Sequence, residues 1–213
     1  MPHIVLLGDS TLDNGSYTGG KPDVISQVKE RIAGGWKASL LAVDGATTRG
    51  IGAQLARLPR DASHLVLSVG GNDALGSQSV LSAPARTTAE GLLQLAAVVD
   101  EFAADYRKAL QACLDQRLPL VTCTIYHGNF ADRQYQRQVA TALAAFNDVI
   151  LQASIENRLT VLDLRRICNR PEDYANPIEP SSIGGAKIAD AIIHAVTAVP
   201  NNRQKAVVLG GPR

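Results

Sequence analysis

Five short apolar runs, each followed by a segment with helical spacing, constrain the fold of this chain more than any other feature. The runs lie at residues 4–7, 40–43, 65–69, 119–123 and 159–164. Parallel strands that helices cover on both faces are apolar along their whole length, and strands that alternate with helices form a parallel sheet. The sequence therefore predicts an α/β fold with a parallel sheet of about five strands.

The length of the chain and its uniform composition indicate one domain. Its 213 residues contain no internal repeat, low-complexity linker or change of composition, and a single α/β domain accommodates this length. We predict one domain over residues 1–199. The segment 200–213 is polar and then glycine-rich, so we expect a loose C-terminal tail there. The small, polar residues 74–86 are predicted to form a surface loop, and the apolar spacing over 88–114 predicts a long helix.

The composition excludes several classes of function. A net charge of +1 and an aromatic content of 4% argue against nucleic-acid binding. Cys113, Cys123 and Cys168 are too scattered for a disulfide framework or a metal site. The first residues lack the basic region of a signal peptide, and no apolar stretch reaches the ~18 residues of a membrane-spanning helix. We therefore expect a cytoplasmic protein without an integral membrane segment; the sequence does not indicate its oligomeric state.

Candidate functional groups follow the first three apolar runs. Ser10 follows the first run in the turn Gly8-Asp9-Ser10, Gly45 follows the second, and Asn72 follows the third. In open parallel sheets, ligands bind beyond the carboxyl ends of the strands. A hydroxyl, an unhindered backbone amide and a side-chain amide at that edge are the groups that acyl-transfer chemistry needs, as a nucleophile and as donors to an oxyanion.

Four short blocks, in this order and spacing, resemble those of the SGNH/GDSL hydrolases over residues 4–198. The blocks are Leu7-Gly8-Asp9-Ser10, Asp44-Gly45-Ala46-Thr47-Thr48, Gly70-Gly71-Asn72-Asp73 and Pro180-Ser181-Ser182-Ile183-Gly184. The resemblance implies a flavodoxin-like three-layer α/β/α sandwich that hydrolyses small acyl esters without a metal or an organic cofactor. It also implies that Ser10 is the nucleophile and that the amides of Ser10 and Gly45 and the Asn72 side chain form the oxyanion hole.

The sequence departs from the family at the block before the last helix. The family has Asp-x-x-His-Pro there, whereas this chain has Asn176-Pro177-Ile178-Glu179-Pro180. Asn176 thus replaces the aspartate, and Glu179 replaces the histidine that serves as base. An ordinary glutamate has a pKa near ~4.3 and is a weak base for a hydroxyl, but burial raises that pKa. A dyad of Ser10 and Glu179 is therefore one hypothesis for the activation of the nucleophile.

His127 is the second candidate for the base. It follows the fourth apolar run, at the predicted site edge of the sheet, whereas His3 and His64 begin strands at the opposite edge and His194 lies inside the last helix. His127 is either an ordinary loop histidine or a relocated base or substrate contact. The discriminating observation is whether Glu179 or His127 lies within hydrogen-bond reach of Ser10.

Three functions compete at this stage. The first is a serine ester hydrolase that acts through Ser10 with Glu179 in place of the usual histidine. The second is a catalytically impaired protein of the same fold that binds a carboxylate or acyl ligand, because an oxyanion hole without a base still binds such groups. The third is a flavin or nucleotide binder, which the absence of a G-x-G-x-x-G or Walker loop disfavours.

Overall fold

A six-stranded parallel sheet forms the centre of the molecule. The computed structural model describes residues 1–197 and 207–210. The strands are β1 His3–Gly8, β2 Lys37–Leu40, β3 His64–Ser68, β4 Leu120–Cys123, β5 Thr160–Leu162 and β6 Val207–Leu209. Their order is β2-β1-β3-β4-β5-β6, and every neighbouring pair is parallel.

Helices lie between the strands and cover both faces of the sheet. The α-helices are α1 Val24–Arg31, α2 Ile51–Leu55, α3 Gly71–Gly76, α4 Thr88–Leu114, α5 Arg133–Glu156, α6 Leu164–Ile167 and α7 Ser182–Thr197. Short 3-10 helices occupy Gly15–Tyr17, Thr48–Gly50, Gln78–Ser82 and Pro171–Asp173. The side chains of Asp23, Thr87 and Asp132 cap α1, α4 and α5 by accepting backbone N–H groups of the first turn.

The alternation of side chains along β1 divides the interior into two apolar cores. Ile4 and Leu6 point to the core that packs under α1 and α7, whereas Val5 and Leu7 point to the core under α4 and α5. All four side chains are fully buried. This arrangement confirms the predicted parallel α/β fold with helices on both sides of the sheet.

The sheet has one strand more than predicted. Val207–Leu209 form β6, which pairs with β5, so the prediction of a loose tail over 200–213 is wrong for these three residues. Three residues are too few for a recognisable pattern, and it is the exposed edge of β5 that gives them a backbone partner. Residues 200–206 and 211–213 lie outside the described part of the chain.

Two further predictions need correction. The second strand lies at Lys37–Leu40 rather than at 40–43. In this edge strand Lys37 and Ser39 alternate with Ala38 and Leu40, so it contains no continuous apolar run. Residues 74–86 are not simply a surface loop, since α3 and the 3-10 helix Gln78–Ser82 occupy most of that segment. Cys113, Cys123 and Cys168 are buried free thiols. Within the described residues no helix is long and apolar enough to cross a membrane.

Candidate active site

A tight turn after β1 presents Ser10 at the carboxyl edge of the sheet. Gly8 has a φ of 134°, and a Cβ at this position would lie 1.7 Å from the carbonyl oxygen of Ser68 in β3. Only glycine fits this approach. The Gln54 side chain satisfies the Gly8 backbone, accepting from its N–H at 2.8 Å and donating to its carbonyl at 2.7 Å. Gln54 was not singled out from the sequence; its signal is a polar residue three positions after the buried Ile51.

Ser10 and Glu179 meet at this edge. The Ser10 hydroxyl donates a hydrogen bond of 3.1 Å to Oε1 of Glu179, across 169 residues of chain. Both residues are only 6% exposed. The second carboxylate oxygen of Glu179 is buried and has no hydrogen-bond partner among residues 1–197 and 207–210. Of the two candidates for the base, Glu179 is therefore the one that the structure brings to Ser10.

Burial shifts the pKa of Glu179 toward neutrality. Its pKa is raised to about 7, chiefly by loss of hydration; the hydrogen bond from Ser10 opposes this rise, and the nearby carboxylates of Asp44 and Asp9 add to it. A carboxylate is harder to ionise away from water and beside other negative charges. A general base is most effective when its pKa lies close to the working pH.

The predicted oxyanion-hole amides are free to bind a ligand. Within the described chain, the backbone N–H groups of Ser10 and Gly45 have no hydrogen-bond partner. Gly45 has a φ of 77°, which glycine adopts readily. The Asn72 side chain lies in the same cleft as Ser10, and its Nδ2 donates to the carbonyl oxygen of Ala46 at 3.0 Å. That bond uses one N–H of Asn72 and leaves the other for a ligand.

Hydrogen bonds on both sides hold the loop that carries Gly45. On one side the Asp44 N–H donates to Oδ2 of Asp13 at 3.0 Å. On the other side the Thr48 hydroxyl donates to Oδ1 of Asp73 at 2.6 Å. These bonds tie the Gly45 amide to the segment after Ser10 and to α3, which carries Asn72.

Asn176 lies on the loop that presents Glu179. Its side-chain oxygen accepts hydrogen bonds from the backbone N–H groups of Ile178 and Glu179, both at 2.9 Å. Asn176 itself is exposed. It therefore contacts the backbone of Glu179 and is not hydrogen-bonded to its carboxylate.

His127 lines the wall of the cleft but makes no hydrogen bond with Ser10 in the described part of the structure. Burial lowers the pKa of its imidazole, and the charge of Arg165 lowers it further. The imidazole is therefore harder to protonate than that of an exposed histidine. His3 and His64 lie at the opposite edge of the sheet, in β1 and β3.

A mainly apolar cleft extends from Ser10 between the segment after β3 and α5. It encloses about 810 Å³ of space, part of it open to solvent. Its apolar wall is formed by Leu75, Val80, Leu81, Val139, Leu143 and Phe146. Among the described residues that line it, Asp9 and Glu179 are the carboxylates, and none is a lysine or an arginine. In residues 1–197 and 207–210, no group of three or more His, Cys, Asp or Glu side chains is placed to hold a metal ion.

Known proteins share the fold and the sequence pattern. The sequence model of the GDSL-like Lipase/Acylhydrolase family matches residues 6–186. Among solved structures, the extracellular lipase of Streptomyces rimosus superposes with a TM-score of 0.71 at 16% identity, covering 92% of this chain and 100% of that one. The phospholipase A1 of Streptomyces albidoflavus has a TM-score of 0.68 at 13% identity, with 91% and 98% coverage. A catalytic mutant of an acetylxylan esterase from Geobacillus stearothermophilus has a TM-score of 0.64 at 16% identity, with 92% and 94% coverage. No curated protein matches the chain.

Proposed function

Because the chain belongs to the GDSL-like lipase/acylhydrolase family, we propose that it hydrolyses acyl esters with Ser10 as nucleophile and Glu179 as general base. The observation that carries this proposal is the hydrogen bond of 3.1 Å from the Ser10 hydroxyl to the Glu179 carboxylate. The pKa of about 7 for Glu179 makes it a far stronger base than an exposed glutamate. Histidine, the usual base of such enzymes, has an unperturbed pKa of ~6.5.

The proposed reaction has two halves. In the first, Glu179 takes the proton of Ser10 as the hydroxyl oxygen attacks the ester carbonyl carbon. The resulting oxyanion receives hydrogen bonds from the amides of Ser10 and Gly45 and from Asn72 Nδ2. Glu179 then gives its proton to the departing alcohol, which leaves an acyl-serine. In the second half Glu179 takes a proton from water as the water oxygen attacks the acyl carbon. Glu179 then returns this proton to Ser10 Oγ as the acyl–Oγ bond breaks and the carboxylic acid leaves.

The cleft indicates the type of substrate. Its wall is largely apolar and carries carboxylates but no cationic side chain, so it favours an uncharged, apolar acyl group over an anionic one. The proposed mechanism requires no metal and no organic cofactor. The cytoplasmic location expected from the sequence stays a prediction.

A second candidate function is binding without turnover, as expected if Glu179 does not activate Ser10. The free amides of Ser10 and Gly45 would donate to the carboxylate of a fatty acid whose alkyl chain packs on the apolar wall of the cleft. Such a protein would retain a short-chain carboxylate such as butyrate and would not hydrolyse its esters.

Hydrolysis of p-nitrophenyl butyrate separates the two functions. We expect turnover by the wild type, a loss of about 10²-fold or more in Glu179→Gln, and a larger loss in Ser10→Ala. Calorimetric titration with butyrate on the same three proteins reports binding independently of chemistry. Turnover that persists unchanged in Ser10→Ala would sink the hydrolase proposal, and butyrate binding without any turnover would favour the second function.

A further inference from the structure

We propose that Asn176 is a positioning residue for the proposed base: its side-chain oxygen shapes the loop that presents Glu179 to Ser10, without adding a negative charge beside that carboxylate. This inference rests on the proposed function and deepens it. The family pattern has an aspartate here, whose partner histidine is absent from this chain. In this protein the same position has acquired a different task.

The geometry of the Asn176 side chain supports the positioning role. Its Oδ1 accepts from the N–H groups of Ile178 and Glu179, both at 2.9 Å, which is the closure of an Asx turn. The ring of Pro177 restricts the backbone inside this turn. A third bond, from the Ala175 N–H to the Glu179 carbonyl at 2.9 Å, closes the loop. Two of the three bonds therefore act directly on the backbone of Glu179.

Other contacts also hold this loop, among them a hydrogen bond of 2.8 Å from the Asn129 N–H to the Pro177 carbonyl. Asn14, which is fully buried in the segment after Ser10, donates from Nδ2 to the Pro180 carbonyl at 3.1 Å. The Tyr126 hydroxyl donates to the Ile178 carbonyl at 2.7 Å. These bonds keep the loop close to the nucleophile when Asn176 changes. Loss of the Asn176 oxygen is thus expected to loosen the orientation of Glu179 rather than to unfold the loop.

The charge at position 176 matters because the surroundings of Glu179 are already acidic. The groups that face its carboxylate are Asp9 after β1, Asp44 after β2, and the phenols of Tyr17 and Tyr126. An aspartate at position 176 would accept the same two N–H groups and would add one more negative charge. That charge disfavours ionisation of Glu179, so the active carboxylate would form only at higher pH.

Three substitutions separate geometry from charge. Asn176→Ala removes the acceptor, Asn176→Ser retains a shorter acceptor, and Asn176→Asp retains the acceptor and adds charge. The measurement is kcat and KM for p-nitrophenyl butyrate between pH 5 and 9. We expect Asn176→Ala to lower kcat about tenfold with little change in KM, and Asn176→Ser to restore part of it. We expect Asn176→Asp to keep most of the limiting kcat and to move the acid limb of kcat/KM upward by about half a pH unit.

Asn157→Ala is the matched control. Asn157 is also exposed and also bonds to nearby backbone, donating to the Ala153 carbonyl at 2.8 Å at the end of α5. Its removal should leave kcat, KM and the pH profile unchanged. Wild-type kcat in Asn176→Ala would overturn the positioning role, and an unmoved acid limb in Asn176→Asp would overturn the role of charge. Either result is compatible with the hydrolase proposal if Ser10→Ala and Glu179→Gln abolish turnover. Turnover that survives in Ser10→Ala would overturn both the hydrolase proposal and the role of Asn176.

Discussion

The two ends of the sheet each hold a serine in a hydrogen-bonded network, and the networks differ in an instructive way. At the carboxyl end, Ser10 donates to Glu179 and no imidazole takes part. At the amino end, His3 contacts the Ser39 hydroxyl through Nε2 at 2.8 Å and Asp61 through Nδ1 at 2.9 Å. The second network has the connectivity of a Ser-His-Asp triad, yet it lies on the side of the sheet where α/β proteins do not place their sites.

The surroundings of the two serines explain why a Ser-His-Asp pattern of hydrogen bonds is not enough to identify a nucleophile. Ser39 lies inside the edge strand β2, and its hydroxyl contacts the buried ring of His3. Ser10 instead lines the cleft with Asn72, and the backbone N–H groups of Ser10 and Gly45 have no partner in the described residues. An ester that reaches the hydroxyl needs such donors for its oxyanion. We therefore assign stability to the His3 network and chemistry to the Ser10 network.

The largest expected effect is a difference between the two serines in reactivity. A fluorophosphonate probe should label Ser10 and not Ser39, because Ser10 lines the cleft together with Asn72, whereas Ser39 lies within an edge strand at the opposite end of the sheet. Ser10→Ala should lose labelling and about 10³-fold or more of p-nitrophenyl butyrate turnover, whereas Ser39→Ala should retain both. Mass spectrometry of the labelled peptides reads out the site. A label on Ser39 would reverse the assignment of the two networks.

A second prediction concerns the free energy of unfolding that is lost when the buried Glu179 ionises. Its pKa rises from 4.5 to about 7 on folding, so between these values the folded protein keeps a proton that the unfolded chain has lost. Stability contributed by this group therefore falls as pH rises through that window and stays lower above it. Glu179→Gln should be about 3 kcal/mol more stable relative to wild type at pH 8 than at pH 4. Urea unfolding at both pH values tests this, and an equal difference at the two would contradict it.

A third prediction distinguishes the two candidate bases by pH. The carboxylate is the active form of Glu179, so kcat/KM should rise about tenfold between pH 6 and pH 8, following its pKa of about 7. Glu179→Gln should flatten this rise. His127→Gln is the control, because the imidazole lines the cleft without a hydrogen bond to Ser10 in the described residues. If the rise disappeared in His127→Gln and persisted in Glu179→Gln, His127 would be the base.

The smallest effect is expected at the amino end of the sheet. Ser39→Ala leaves the buried ring of His3 without one of its two partners, which costs about 1 kcal/mol of unfolding free energy. Turnover should not change. Thermal unfolding and the butyrate ester assay on the same sample provide the two readouts. A loss of turnover without a loss of stability would give Ser39 a part in the chemistry.

Predictions that depended on local sequence agreed best with the structure. The helix predicted over 88–114 is α4, Thr88–Leu114, because its spacing and its cap are encoded within one segment. The sequence also predicted the turn at Gly8, since glycine after an apolar run ends a strand. It predicted neither strand β6 nor the observed position of β2. Both are edge strands, which depend on backbone pairing with a neighbour rather than on an apolar pattern of their own.

The sequence by itself determined which chemical groups the protein carries: a serine, a glycine and an asparagine after successive strands, and Glu179 in place of a histidine. Only the tertiary structure decided what these groups meet. It joins Ser10 and Glu179 across 169 residues, keeps His127 on the cleft wall, and encloses the Glu179 carboxylate so that its pKa reaches about 7. Burial and proximity are properties of packing between distant segments, so no local pattern around residue 179 encodes them.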